Sequence, residues 1–431
     1  MSSSLVDIPK YYAYKDSGVE WLGDIPEQWE VSCSKWLFSQ RKERARKDDE
    51  QLTASQRYGV ISQKTFMELE GRRVTQVFLN SEILKHVEAG DFVISMRSFQ
   101  GGIEFCPYKG SVSSAYVPLV PSDSIQPRFF KYLLKCQRYI EALQSTSNLV
   151  RDGQALRYEN FTMVDLPVLP LEEQSSIAAY LDRKTSQIDQ AVEIKEQQIV
   201  LLKERKKIFI QNAVTRGLNP DAPMRDSGVE WIGEIPAHWQ VRRSKFVFGQ
   251  RKELAWKDDV QLSATQAYGV IPQELYEEKT GYRVVKIQLH LEKRKHVEVD
   301  DFVISMRSFQ GGLERAWSRG CIRSSYVVLR PMLEVDAGYF GRLFKSPRYI
   351  SALQATGNFI RDGQDLNFEN YSLVDLVLPP LSEQMTIAEW IDTESTKIDK
   401  AIELQQHQID KLKEYKATLI NSAVTGKIKV A

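Results

Sequence analysis

Much of what would place this chain in a class at once is missing. Its four cysteines, Cys33, Cys106, Cys136 and Cys321, have no paired spacing, and its five histidines form no H-x-x-x-H or Cys/His cluster. A disulfide framework and a metal site are therefore not expected, and buried, inert thiols are. No apolar run approaches the roughly 20 residues of a membrane span, and the first ten residues lack a basic start followed by an apolar core, so a cytoplasmic protein is expected. The chain has no G-x-G-x-x-G, no Walker-type G-x-x-x-x-G-K, and no N-P-P-F/Y or D-P-P-Y. Nothing marks an enzyme that acts alone. Glu193-Ile194-Lys195 has the E-x-K form seen in nucleases, but it lies in a helical pattern where that spacing aids the helix. Lys and Arg number 58 against 57 Asp and Glu, a net charge of +1, so no global charge points to nucleic acid.

What is present is a long amphipathic helix, found twice. Residues 170–214 begin PLEEQSSIAAYLDRKTSQIDQAV, and Leu181, Ile188, Leu202 and Phe209 fall in steps of seven with Lys195 the one polar member. Val192 and Ile199 fill the position four residues further round. A proline precedes the first turn, Glu172 and Glu173 suit the helix dipole, and Gly217 follows the basic end. Roughly 40 residues at about 1.5 Å each give a rod on the order of 60 Å. From Pro380 the chain reads PLSEQMTIAEWIDTESTKIDKAI, and Ile391, Ile398, Ile402, Ile409, Leu412 and Leu419 stand 210 residues after members of the first stripe. The two stripes are a seam for each other.

The offset of 210 governs the whole chain. DSGVEWLGDIPEQWEV at residue 16 returns as DSGVEWIGEIPAHWQV at 226, and DFVISMRSFQGG at 91 returns unchanged at 301. Tyr58-Gly59-Val60-Ile61 and His86-Val87-Glu88 recur in the same register. Two copies are too few for a solenoid, so the pattern predicts two mixed α and β domains, each followed by a long helix. The apolar run at 92–96, residues 115–120 and 325–329, and the alternation of Val285, Ile287, Leu289 and Leu291 predict strands. Phe129, Leu133, Cys136, Ile140 and Leu143 predict one helix face, repeated by Tyr339, Leu343, Ile350 and Leu353. Trp21, Trp29, Trp231 and Trp239 are expected to pack each domain onto the helices. The fold class is α+β, with the helices pairing as an antiparallel coiled coil of pseudo-two-fold symmetry. A parallel pairing would need a connection as long as the rod, which the intervening domain does not exclude.

Two like heads on a stiff rod suit a ligand with repeating sites, and half-sites on one face of duplex DNA recur about every 34 Å. Residues 97–157 hold eight Lys or Arg against four Asp or Glu, and residues 307–367 nine against five, an excess of four in each window. Phosphate contacts would give salt-dependent affinity, and polar side chains would read base edges.

The paired helix starts, the GVEWLGDIPEQWEV stretch and the SMRSFQGG loop together resemble the specificity subunit of type I restriction-modification enzymes. The resemblance covers almost the whole chain in the family's domain order. It implies a first target-recognition domain at 1–168, a central conserved helix at 169–217, a second target-recognition domain at 218–378 and a C-terminal conserved helix at 379–431. It further implies a noncatalytic subunit that binds a bipartite double-stranded DNA site and positions two adenine methyltransferase subunits and restriction/translocase subunits. S-adenosylmethionine, ATP and Mg would belong to those partners, with no cofactor in this chain. Candidate DNA contacts are Arg97, Ser98 and Gln100, repeated as Arg307, Ser308 and Gln310, and Arg151 and Gln154, repeated as Arg361 and Gln364. Capping of the loop itself, or ion pairs with Asp152 and Asp362, are the bland readings of these side chains. Gly101-Gly102 and Gly311-Gly312 fit a phosphate cradle or a tight turn. Discrimination between half-sites needs residues that differ, such as Lys64, Thr65, Phe66 and Arg72 against Glu274, Leu275, Tyr276 and Tyr282. The alternative to DNA recognition is a coiled-coil scaffold carrying two protein-binding modules.

Overall fold

The structure, a computed structural model, describes residues 8–71, 73, 83–146, 156–285, 291–305, 308–357 and 366–430. Two compact units divide the chain, one of Met1–Lys195 with His407–Ala431, the other of Glu196–Gln406. Each unit therefore holds one half of each long helix.

In the first unit Phe38–Gln40, Val117–Pro121, Phe92–Ile94 and Glu104–Phe105 form a four-stranded antiparallel sheet in that order. Phe92 and Ile94 face the main core while Val93 faces a second cluster with Leu52, Val60, Val87, Cys106 and Val112. A strand buried on both faces needs an unbroken apolar run, which explains the lack of alternation there. On the main side Phe38 meets Phe92, Phe130 and Phe161 edge to face at 5.5 to 5.7 Å. The second unit repeats this with Phe248–Arg251, Val327–Pro331, Phe302–Ile304 and Glu314–Arg315, and with Phe248 against Phe302, Phe340 and Phe344. Cys106, Cys136 and Cys321 are buried, and Cys33, half-buried, donates its thiol to the Thr162 carbonyl.

Two sequence expectations need correcting. The stripe from Phe129 to Leu143 is divided between two helices, Pro127–Leu133 and Gln137–Ser145, because Cys136 is extended and the Leu134 carbonyl accepts from Ile103 N–H at 3.1 Å. In the second unit Ala337–Leu343 and Pro347–Ala355 break at the same place, where Pro347 adds its own bias against a helical Ser346. The alternation from Val285 to Leu291 gives no strand at its described ends. Val285 is 86% exposed and Leu291 opens a 3-10 turn, Leu291–Lys293, so alternation without burial made no sheet there.

The long helices span Leu171–Arg216 and Leu381–Val424. In the first unit Asp189 pairs with Lys416 at 2.6 Å and Lys195 with Gln408; in the second, Lys206 pairs with Asp399 at 2.7 Å and Phe209 lies against Trp390 at 5.5 Å. Within each unit the partner number falls as the other rises, so the pairing is antiparallel. Leu181, Ile188, Ile199, Ile391, Ile409 and Leu419 are buried, and Val192, Leu202, Phe209, Ile398, Ile402 and Leu412 half-buried, so the stripe read from the sequence is the seam. Among the described residues no helix is long and apolar enough to cross a membrane, and no group of three or more His, Cys, Asp or Glu is placed to hold a metal.

The helix starts are tied to the domains by polar anchors. Trp29 Nε1 donates to Glu173 at 3.1 Å and Trp239 Nε1 to Glu383 at 2.9 Å, while Trp21 and Trp231 donate to the carbonyls of Asp165 and Asp375. Gln174, wholly buried, accepts from Gln126 N–H and donates to the carbonyls of Ser124 and Leu169. Gln384 repeats this with Asp336 N–H and the Pro379 carbonyl. A buried amide so satisfied fixes the angle at which each domain meets its helix. The last residue of each PLEEQ and PLSEQ motif is therefore an anchor, a role its polarity within a helical start left unread.

A buried imidazole is clamped in each unit. His296 has Asp259 at 2.7 Å from Nδ1 and Glu298 at 2.9 Å from Nε2, with Trp256 stacked on the ring at 3.9 Å and Arg319 over Trp256. His86 repeats the geometry with Asp49 and Glu88. Burial disfavours the charged His296 ring, but its hydrogen bonds and charge contacts with Asp259 and Glu298 outweigh that and raise its pKa above the ordinary 6.5. A group raised on folding stabilises fully below its unfolded value and loses that contribution as pH rises through the folded one. Melting temperatures of the wild-type chain are expected to fall between about pH 6.5 and the raised value, and His296→Gln to flatten part of that fall. Identical slopes for both proteins would show that folding does not raise the proton affinity of this ring.

Candidate nucleic-acid interface

In both units the repeated DFVISMRSFQGG segment leaves the sheet and closes in a single helical turn, Ser98–Gly101 or Ser308–Gly311. Two of the candidate contacts turn inward. Ser98 is 1% and Ser308 0% exposed, and their hydroxyls accept from the N–H groups of Ser95 and Ser305 at 2.9 Å. They close the turn from inside and do not stand at the surface. Arg97, Gln100 and Gln310 are exposed beside them. The paired glycines serve close packing. Gly102 and Gly312 have φ of +77° and +75°, and a Cβ there would strike the carbonyls of Leu134 and Phe344; at Gly101 and Gly311 it would strike Gln56 and Gln266.

A second loop lies against this turn. The hairpin of Leu52–Ser55 and Gly59–Ser62 places Gln56 so that its Nε2 donates to the Arg97 carbonyl at 3.2 Å, and Lys135 Nζ donates to the Gln56 carbonyl at 3.1 Å. Gln144 donates to the Phe99 carbonyl from the far side at 2.6 Å. One polar edge thus joins residues 56–58 with Arg97 and Gln100. Lys64 and Thr65 are exposed on the helix Gln63–Glu70, whose first turn Ser62 caps, and Phe66 packs on Tyr58 at 6.5 Å. In the second unit Glu274, Leu275 and Tyr276 lie on Gln273–Thr280, and Tyr282 is 73% exposed. Arg72, Arg151, Asp152, Gln154, Arg307, Arg361, Asp362 and Gln364 lie outside the described residues.

The charge excess in the two windows is largely taken up within the chain. Arg128 and Lys131 pair with Asp182, and Lys135 with Glu104. In the second unit Arg315, Arg319, Arg330, Arg342 and Lys345 pair with Asp300, Asp258, Glu253, Asp392 and Glu314. Most of these carboxylates lie outside the windows counted along the sequence, which is why the local count overstated the positive surface.

A family described as the type I restriction modification DNA specificity domain matches residues 26–204, a stretch that the internal repeat duplicates. A protein named as the MjaX type I restriction enzyme specificity subunit of Methanocaldococcus jannaschii is 21% identical over 450 residues, covering 99% of this chain and all of that protein. The EcoKI specificity subunit of Escherichia coli is 34% identical over 106 residues, 23% of this chain and 22% of that one. Over almost its whole length the chain is similar to specificity subunits of type I restriction-modification enzymes. The fold agrees: the HsdS subunit from Thermoanaerobacter tengcongensis matches with a TM-score of 0.53 at 15% identity, over 94% of this chain and 98% of that one. A chain from a structure concerned with complex assembly and conformational transition of the type I R-M system matches with a TM-score of 0.64 at 14% identity, over 93% and 98%. A specificity subunit recognises DNA for the complex, so the polar edge beside Arg97 and its repeat beside Gln310 are the surfaces to question first.

Proposed function

We propose that this specificity subunit reads a bipartite DNA site, one half with each unit, and positions two adenine methyltransferase subunits and the restriction subunits on it. The observation that carries this reading is the duplicated edge: the same capped turn, with the same glutamine from the neighbouring hairpin packed against it, occurs once per unit. Two copies of one edge suit two half-sites that are alike when read in inverted orientation, giving a palindrome-like site. The partner role draws on a second apolar row outside the seam. Val200, Leu201 and Ile208 on the first helix and Leu404 on the second are 64%, 67%, 53% and 55% exposed, and Ile194 stands seven residues before Leu201. Apolar side chains exposed in a row on a helix favour a protein partner. The reaction chemistry, with S-adenosylmethionine, ATP and Mg, resides in the partners.

Selection from a random-site DNA library by the chain in complex with its methyltransferase tests this directly. The expected result is an enriched motif of two short blocks around a fixed spacer, bound with a steep salt dependence. Failure to enrich any motif with the methyltransferase present would sink the reading.

A further inference from the structure

The hairpin turn beside the capped loop is almost invariant between the units: Gln56-Arg57-Tyr58-Gly59-Val60-Ile61 in the first, Gln266-Ala267-Tyr268-Gly269-Val270-Ile271 in the second. One residue differs, and it stands at the tip. The Arg57 side chain is 76% exposed, its guanidinium lies 5.1 Å from the Tyr58 ring, and Glu70 is 3.7 Å away. Below it the turn is fixed: Ser55 Oγ accepts from the N–H groups of Arg57 and Tyr58, Tyr58 donates to Glu70 at 3.1 Å, and Gln56 is bonded at both ends. In the second unit the cation over the corresponding tyrosine is Lys279, 5.6 Å from the Tyr268 ring and carried by the neighbouring helix, while the tip is the methyl group of Ala267.

We propose that Arg57 reads a guanine in the half-site taken by the first unit, and that Ala267 leaves the corresponding base pair of the other half-site without that contact. The assignment rests on the bipartite reading above and deepens it. Phosphates are the same in both half-sites, so residues that hold the backbone have no reason to differ between duplicated units; base-reading residues do. Arg97 recurs as Arg307 and fits the shared role, whereas at the Arg57 position a cation is replaced by a methyl group, in a turn whose other change, Ser55 to Thr265, keeps the hydroxyl that accepts from the tyrosine N–H. An arginine held on a rigid turn presents paired N–H donors, and in the major groove guanine offers the matching pair of acceptors, O6 and N7. An alanine offers only a methyl group, which suits a thymine methyl or nothing. The half-sites are then alike where the shared turn meets them and differ at the base pair that Arg57 reads.

The test is methylation mapping with the full chain in its methyltransferase complex, for the wild type, Arg57→Ala, Arg57→Lys and Ala267→Arg. Arg57→Ala is expected to lower discrimination for guanine at one position of one half-site by roughly tenfold to a hundredfold, leaving the other half-site unchanged. Arg57→Lys keeps the charge but not the paired donors and is expected to lose most of the same discrimination. Ala267→Arg is expected to add a guanine preference at the corresponding position of the second half-site, a gain that misfolding cannot mimic. An unchanged motif in Arg57→Ala overturns the assignment and leaves bipartite recognition standing. So does weaker binding that is uniform over sequences with a salt slope lower by about one, because that identifies a phosphate contact. A wild-type complex that marks no bipartite site overturns the parent reading, and this assignment with it, before any variant is compared.

Discussion

A chain carrying aspartate at both Ile188 and Leu202 is expected to lose assembly with its methyltransferase subunits while the two domain cores stay folded. Ile188 is 7% exposed and sits in the seam with Leu412 and Leu419, and Leu202 is half-buried in the other unit. Losing the isoleucine side chain alone costs about 2–5 kcal/mol. An ionised carboxylate in its place adds a desolvation cost that the antiparallel partner does not offset, since the side chains facing it are apolar. The rings that Phe38 and Phe248 meet all belong to the domains and not to the long helices, so those contacts stay in place when the seam is broken. The exposed row of Val200, Leu201 and Ile208 shares a helix with the seam, so a seam that separates no longer presents that row on a rigid surface. Gel filtration with the methyltransferase, alongside near-ultraviolet circular dichroism of the variant, checks both halves of the claim. Ile188→Ala with Leu202→Ala should weaken assembly without abolishing it, because no charge is buried. Full assembly by the aspartate variant would mean that the methyltransferase does not need the paired helices.

The parts of this fold that were legible in the sequence are those where one physical demand acts on one periodic pattern. A seam between helices needs an apolar residue every seven, and Leu181, Ile188 and their repeats obey it. A strand buried on both faces needs an unbroken apolar run, and residues 92–94 supply one. Features that depend on partners distant in sequence were not legible. The stripe from Phe129 to Leu143 reads as one helix until Ile103, some thirty residues earlier, is found donating to the Leu134 carbonyl. Ser98 reads as a polar loop residue until its hydroxyl is seen capping Ser95. The basic residues near each candidate site read as free charge until Asp182, Asp258, Glu253 and Asp392 arrive from other elements. The turn at Arg57 was missed for the same reason. Its one signal in the sequence is the change from Arg57 to Ala267 inside the repeated Gln-x-Tyr-Gly-Val-Ile, and the bond from Gln56 to the Arg97 carbonyl connects it with the candidate loop.

A fragment of residues 1–222 is expected to be a homodimer, and to direct methylation to a fully symmetric site. The first unit of the intact chain is completed by residues 407–431, which supply Leu419, Ala423, Val424 and Ile428 to its core, with Leu412, Tyr415 and Ile420 packed against them. The tail closes on the chain's own beginning: Lys429 N–H donates to the Pro9 carbonyl at 2.7 Å, and Gly426 lies against Pro26 and Trp29. The fragment lacks all of this. Leu419, Val424 and Ile428 alone are worth about 1.5–3 kcal/mol each when buried, together on the order of 5–9 kcal/mol, which is comparable to the whole stability of a domain. The fragment does hold the repeat of the missing segment. Phe209, Ala213, Val214 and Leu218 stand 210 residues before Leu419, Ala423, Val424 and Ile428. In the intact chain these four pack into the core of the second unit as their counterparts pack into the first. A second copy of the fragment can therefore insert its helix end where residues 407–430 belong, and receive the same in return. Reciprocal insertion is isologous and closes at two copies, so a discrete dimer forms instead of a fibre. Light scattering should give twice the fragment mass, with dissociation on dilution, and Phe209→Asp should return the mass of a monomer. With methyltransferase present, the mapped site should repeat the first unit's half-site in inverted orientation, including the guanine assigned to Arg57 on both sides. A stable monomeric fragment would show that the first unit does not need the helix end, and a dimer that marks an asymmetric site would show that the two copies are not equivalent.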